Sequence, residues 1–131
     1  MTTESTDILV IGAGPAGTVA ASIANKNGMK VRIVDKSRFP RFVIGESLLP
    51  RCMDHFEEAG FLDVLKQQGY QVKNGAIFLK DDKRCEFDFS DQYTKGWGWT
   101  WQIPRDHFDN VLAEEVQKMG VPIDFETTVT N

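Results

Sequence analysis

A chain of 131 residues has room for one small domain, and 41% hydrophobic with 26% charged residues is the ordinary make-up of a soluble globular protein. A net charge of −4 and a pI of about 5.1 argue against a nucleic-acid or anionic-membrane partner. No apolar run approaches membrane-spanning length.

Met1 to Asp7 is polar and acidic, without the basic stretch of a secretory signal, so a cytoplasmic protein is expected. Ile8 to Ile11 is a short apolar run rich in β-branched residues, as in a buried parallel strand. Gly12, Gly14 and Gly17 then fit G-x-G-x-x-G. Pro15 suits the first turn of a helix, where a missing N–H costs nothing. Ala16, Ala20, Ala21 and Ala24 would let that helix lie close on a sheet, and Asn27-Gly28 ends it. Val31 to Val34 reads as the second strand, closed by Asp35. Strand, glycines, helix, strand and terminal acid in this order mark a dinucleotide-binding βαβ unit. Gly12 would permit the turn, Gly14 would admit the pyrophosphate, and Gly17 would allow close helix–strand packing. The helix N-terminus would face the phosphates, and Asp35 would accept from ribose hydroxyls. A glycine-rich turn in an unrelated βαβ unit is the bland alternative.

Lys36 to Ser47 reads as a loop, in which Arg38 and Arg41 either are solvated or screen pyrophosphate charge. Helical spacing begins around Leu48, with Leu49, Cys52, Met53 and Phe56 as its apolar stripe, Ser47 as N-cap and Gly60 as C-cap. His55 falls among the polar positions. A short helix over about Leu62 to Gln68 follows. The period then changes to two. Tyr70 to Lys80 predicts one or two strands interrupted at Asn74-Gly75. Cys85, Phe87 and Phe89 predict a strand with one buried face. Trp97, Trp99, Trp101 and Ile103 predict another, its tryptophans forming an apolar sheet face. Pro104 ends it. A helix over about Asp106 to Met119 would bury Phe108, Val111, Leu112, Val116 and Met119, with Asp106 and Asp109 in a capping arrangement and His107 exposed. Val121, Ile123 and Phe125 alternate again, and Val129 lies in a further β-like stretch. Cys52 and Cys85 lack metal-ligand spacing and are expected as reduced core thiols.

The chain resembles the FAD-binding N-terminus of the flavoprotein monooxygenase superfamily, in the branch holding flavin-dependent halogenases and geranylgeranyl-reductase-like enzymes. The resemblance rests on Gly12-Ala-Gly-Pro-Ala-Gly17, Gly45-Glu-Ser-Leu-Leu-Pro50, Lys73-Asn-Gly-Ala-Ile-Phe78, and Trp101 to Asp109 with Leu112. It implies an α/β fold: a Rossmann-like FAD/NAD(P)-binding parallel sheet with a βαβ start, plus an inserted antiparallel strand set, incomplete. It implies FAD as cofactor. Gly12, Gly14, Pro15, Ala16 and Gly17 would hold the pyrophosphate, and Asp35 with Lys36 the adenosine ribose. Arg41 and Gly45, Glu46 and Ser47 would lie along the flavin side. Arg105 matches the arginine that reaches FAD, and Val129 falls where backbone meets adenine. Lys73 matches the catalytic lysine that positions or carries the hypohalous species in halogenases. Gly75 and Ala76 would leave room beside it, with Phe78 as an apolar wall. Trp99-Thr-Trp101-Gln-Ile103-Pro104 fits the W-x-W-x-I-P signature of halogenases. That signature lies farther along in the family, and here the match is read as coincidental.

The implied partners are an organic small-molecule substrate and, as electron donor, a flavin reductase or NAD(P)H. No nucleic acid and no membrane span are expected, and no metal site. Residues 1–131 read as the N-terminal portion of a single FAD-binding domain, its C-terminal half and substrate domain absent. An NAD-dependent dehydrogenase module and a non-catalytic dinucleotide-binding fragment are the alternatives.

Overall fold

The computed structural model describes residues 3–130. In chain order it contains β1 (Ile8–Ile11), α1 (Pro15–Lys26), β2 (Val31–Val34), α2 (Arg51–Ala59) and α3 (Leu62–Lys66). Then follow β3 (Gln71–Lys73), β4 (Gly75–Lys80), β5 (Lys83–Asp88), β6 (Thr100–Gln102), α4 (Arg105–Lys118) and β7 (Ile123–Asp124).

The central sheet is parallel, in the order β1-β2-β7. Ile8 lies opposite Val31 and Ile11 opposite Val34, and Ile33 faces Ile123 across the other side of β2. β2 is therefore the interior strand, which is why Val31, Ile33 and Val34 are all buried. β1 is an edge, and its Leu9 and Ile11 stand 49% and 69% exposed.

Helix α1 packs on α2 and α4. Ala21 is fully buried, and Met53 and Phe56 of α2 and Phe108, Leu112 and Val116 of α4 share the same core. Phe56 and Phe108 meet edge-to-face at 5.6 Å. Burying each such large side chain contributes roughly 1.5–3 kcal/mol. The buried Ser22 hydroxyl donates to the Ala59 carbonyl at 2.6 Å, which satisfies the end of α2 where Gly60 turns left-handed at φ +81°. Ala16 and Ala20 are exposed, so only part of the alanine run meets the core.

The antiparallel strands form two separate ladders, β3 with β6 and β4 with β5. Several expectations change here. α2 starts at Arg51 with Pro50 at its cap, because Ser47 is drawn instead into a bridge with Gln102. Leu49 is exposed rather than part of the stripe. The β4–β5 hairpin stands away from the core, so Cys85 and Phe87 are exposed and only Phe89 is half-buried. Cys52 is half-buried, and both cysteines are free. The tryptophans stack edge-to-face, Trp97 on Trp99 at 5.5 Å and Trp99 on Trp101 at 5.3 Å. Only Trp101 lies in a strand and is buried. Val129 is exposed and outside any strand.

Candidate functional site

The site begins where β1 ends. Gly12 has φ +106°, a conformation open to glycine, and its N–H donates to the Val34 carbonyl at 2.8 Å. A Cβ at Gly17 would stand 2.0 Å from the Gly12 carbonyl oxygen, so this glycine is required by close backbone approach. Gly14 is the N-cap of α1 and carries no capping side chain. Pro15 and Ala16 open the helix behind it, so the first N–H groups are left for an incoming acceptor. A Cβ at Gly14 would have Arg41 Nη2 3.6 Å away.

Asp35 closes β2 and is buried. Its Oδ2 accepts from the Ala13 N–H at 2.7 Å and its Oδ1 from the Ser37 N–H at 2.8 Å. Its carbonyl accepts from the Thr127 N–H at 2.9 Å. One carboxylate thus ties together the glycine turn, the loop after β2 and the segment after β7. Between them lies a cleft of about 560 Å³ lined by Gly12, Asp35, Lys36, Arg41, Thr127 and Val129, among others. Its size suits a small-molecule or cofactor site.

A second cluster adjoins the first. Asp109 of α4 is 0% exposed and holds two guanidinium groups. Arg41 Nη1 donates to its Oδ2 at 2.9 Å. Arg105 donates from Nε to Oδ1 at 2.8 Å and from Nη2 to Oδ2 at 3.0 Å. Hydrogen bonding to Asp109 holds the Arg105 guanidinium above its ordinary pKa. Arg105 Nη1 reaches the Ile44 carbonyl at 3.2 Å, and Gly45 turns beneath it at φ +120°. Phe39 lies under the Arg41 guanidinium, 4.4 Å from its ring centroid, and packs on Phe125. Two guanidinium groups thus share one buried carboxylate beside the glycine turn, and the Glu46 carboxylate also acts on Arg105.

Glu46 and Ser47 run alongside β6. The Ile103 N–H donates to the Glu46 carbonyl at 2.8 Å, and the Glu46 carboxylate takes the Gly45 N–H. Lys73 joins this group through its amine, which donates to Ser47 Oγ at 2.6 Å and to the Leu48 carbonyl at 3.0 Å. Gly75 packs its backbone closely on β5, since a Cβ there would meet the Phe87 carbonyl oxygen at 2.2 Å, and an open cavity lies along Gly75 and Ala76.

Gly12, Asp35, Lys36, Arg41 and Val129 therefore line one cleft, with Gly14, Pro15, Ala16 and Gly17 at the adjoining helix start. Gly45, Glu46, Ser47 and Arg105 form a second group, linked to the first by Asp109. Reading the sequence missed Asp109 and took it for part of a cap. Its spacing of four residues from Arg105 on one helix was the available signal. Its pairing with Arg41 crosses 68 residues and leaves no local mark. Ser37 and Thr127 were also missed, because they contribute through backbone N–H groups.

The profile of the family described as FAD binding domain matches residues 5–131. Among curated relatives, the flavin-dependent halogenase armH3 of Armillaria mellea is 39% identical over 121 residues, covering 91% of this chain and 24% of its own length. The tryptophan 2-halogenase of Chondromyces crocatus is 35% identical, covering 92% of this chain and 22% of its own. Among solved structures, a flavoprotein/dehydrogenase from Cytophaga hutchinsonii superposes with a TM-score of 0.92 at 60% identity, covering 98% of this chain and 32% of that one. The flavin-dependent halogenase CmlS gives a TM-score of 0.88 at 33% identity, covering 99% and 24%. The chain thus spans about a quarter of the curated relatives it matches.

Proposed function

The chain belongs to the FAD binding domain family, and from that premise we propose that it is the N-terminal portion of an FAD-binding domain in a flavin-dependent oxidoreductase. The observation that carries this reading is the cleft lined by Gly12, the Asp35 carboxylate and Arg41, whose guanidinium reaches the bare helix start at Gly14. The residues fit FAD. The missing Cβ at Gly14 leaves the cradle open to a phosphate, with a cation beside it. Asp35 keeps lone pairs for ribose hydroxyls beyond the two N–H groups it already serves. Lys36 flanks the ribose end, and Val129 offers backbone to the adenine.

FAD, when bound, supplies the redox chemistry, while the protein supplies binding, orientation and electrostatics. Gly12 and Gly17 let helix and strand meet closely enough to present the helix N-terminus. Arg41 balances pyrophosphate charge. Gly45, Glu46 and Ser47, backed by Arg105 and β6, form the turn along the flavin side.

For the whole protein we favour a halogenase-like or monooxygenase-like enzyme acting on an organic small molecule, with reducing equivalents from a flavin reductase or NAD(P)H. In that reading Lys73 is the catalytic amine. The halogenase names among relatives at 31–39% identity support it. A second reading, a flavin-dependent dehydrogenase or reductase, is favoured by two observations. The 60% identical solved structure bears the name flavoprotein/dehydrogenase. The Lys73 amine is already engaged by Ser47 and Leu48. A cytoplasmic setting belongs to both readings and is supported by the two free thiols. No helix among the described residues is long and apolar enough to cross a membrane.

The test uses the purified protein that carries this chain. Heat-released cofactor should be FAD, and candidate aromatic substrates incubated with reductant, oxygen and halide should gain halogen by mass spectrometry. Hydrogenated products formed without oxygen would select the reductase reading. A protein without flavin absorbance that ignores FAD and binds NAD would overturn the assignment.

A further inference from the structure

The two arginines are not equivalent. Arg105 turns all three of its guanidinium nitrogens to protein acceptors: Nε and Nη2 to Asp109, and Nη1 to Ile44 and Gly45. Arg41 turns only Nη1 to Asp109. Among the described residues Arg41 Nη2 meets no protein acceptor, and it lies 3.6 Å from where a Gly14 Cβ would stand. A guanidinium is planar and rigid, so fixing one nitrogen and stacking its face on Phe39 fixes the direction of the other. Asp109 is fully buried and immobilised on α4 by the bidentate bond from Arg105.

We propose that Asp109 is a positioning residue that aims Arg41 Nη2 at the pyrophosphate in the Gly14 cradle, while Arg105 serves as the frame that holds Asp109 and the Ile44–Gly45 turn. This rests on the FAD reading above and changes its division of labour. Arg105 gives at least three of its five N–H groups to Asp109 and Ile44, so its part is to frame the site, while the directed phosphate contact falls to Arg41. The relay runs from Arg105 through Asp109 to Arg41 and joins helix α4 to the glycine turn. Removing the carboxylate leaves Arg41 charged and free to swing, so the electrostatic attraction survives in part while its direction is lost.

The experiment measures FAD affinity by flavin fluorescence in the apo form of the protein that carries this chain, at two ionic strengths, beside thermal melting. Asp109→Asn and Arg41→Gln should each weaken FAD by about tenfold, the worth of one hydrogen bond to a charged group. The double variant should be no weaker than Arg41→Gln alone, because Asp109 acts through Arg41. Arg41→Gln should also flatten the salt dependence of binding. Arg105→Lys should lower the melting temperature more than it lowers affinity. Losses that add in full in the double variant, or unchanged affinity in folded Asp109→Asn, would overturn the inference. If Asp109→Asn does not fold, Asp109→Glu keeps the charge and displaces the arginine by a methylene. Wild-type affinity in that variant would overturn the inference as well. Absence of FAD binding in the wild type would remove the cofactor reading itself, and it is read before any variant is compared.

Discussion

Gly14 and Gly17 stand three residues apart, and their replacement by alanine should fail in opposite ways. At Gly17 the new Cβ would lie 2.0 Å from the Gly12 carbonyl oxygen and 3.2 Å from a Val10 methyl. The oxygen belongs to a backbone that also fixes the sheet, since the Gly12 N–H is bonded to Val34. It cannot swing aside as a side chain would. Alanine in a helix gains about 1 kcal/mol over glycine, but overpacking costs about 1–3 kcal/mol and more against rigid backbone. At a contact this short the upper end applies, for a net loss of roughly 2 kcal/mol. Melting should fall by roughly 2–8 °C for each kcal/mol, depending on domain size. At Gly14 the backbone has φ −70°, and the nearest atom to a new Cβ is Arg41 Nη2 at 3.6 Å, an ordinary van der Waals contact. Alanine is a poorer N-cap than glycine, so stability should fall by about 1 kcal/mol or less. The methyl would instead occupy the pyrophosphate cradle, and overpacking of about 1–3 kcal/mol there corresponds to roughly 5- to 150-fold weaker FAD. Differential scanning fluorimetry of the apo protein and FAD titration separate the two. A Gly14→Ala protein that binds FAD normally, or a Gly17→Ala protein that melts like the wild type, would refute the reasoning.

Lys73→Met removes two hydrogen bonds that hold Ser47 and Leu48. If the amine is catalytic, FAD stays bound and product is lost; an equal fall in FAD affinity and turnover would make Lys73 a support for the 45–48 turn. Burial first, and Asp109 second, push the Tyr70 phenol up to about 12 from an ordinary 10.0. The neutral phenol is thus favoured in the fold, and its contribution to stability is full below pH 10 and lost as pH rises from there through about 12. Tyrosinate absorbance with a Tyr70 midpoint near 10 would contradict this. Residues 1–131 produced alone should aggregate and bind FAD weakly, because Leu9 and Ile11 on the β1 edge and Phe78 and Phe87 on the hairpin are exposed. A monomer that melts cooperatively and binds FAD at submicromolar concentration would count against that.

The glycine turn was legible in the sequence because its causes are local. A positive φ, a close approach and a helix start all act within a few residues of each other. The parallel pairing of β1 and β2 follows from the same unit, since a right-handed helical crossover has few other ways to return. Ser47 was misread because the contest for its hydroxyl is long-range: Lys73 and Gln102 take the segment that local logic gave to a helix cap. The alternation of Cys85, Phe87 and Phe89 correctly described a strand, but a period of two says which residues share a face and not what covers it. In the hairpin little more than the Phe78–Phe87 contact covers that face. Trp97 and Trp99 follow the same alternation but lie outside any strand, half-buried against one another, Trp101 and the core.

The two buried carboxylates of the site show what kind of contribution this chain makes. Asp35 gives both oxygens to backbone N–H groups, and Asp109 gives both to guanidinium groups. A buried carboxylate whose two oxygens are both taken by fixed donors suits a post better than a general base that must come and go with a proton. In the FAD reading proposed above, Asp35 would meet ribose hydroxyls and Arg41, held by Asp109, would meet phosphate oxygens. That placement is achieved by packing α4 against the loop after β2, far apart in sequence and joined through Asp109.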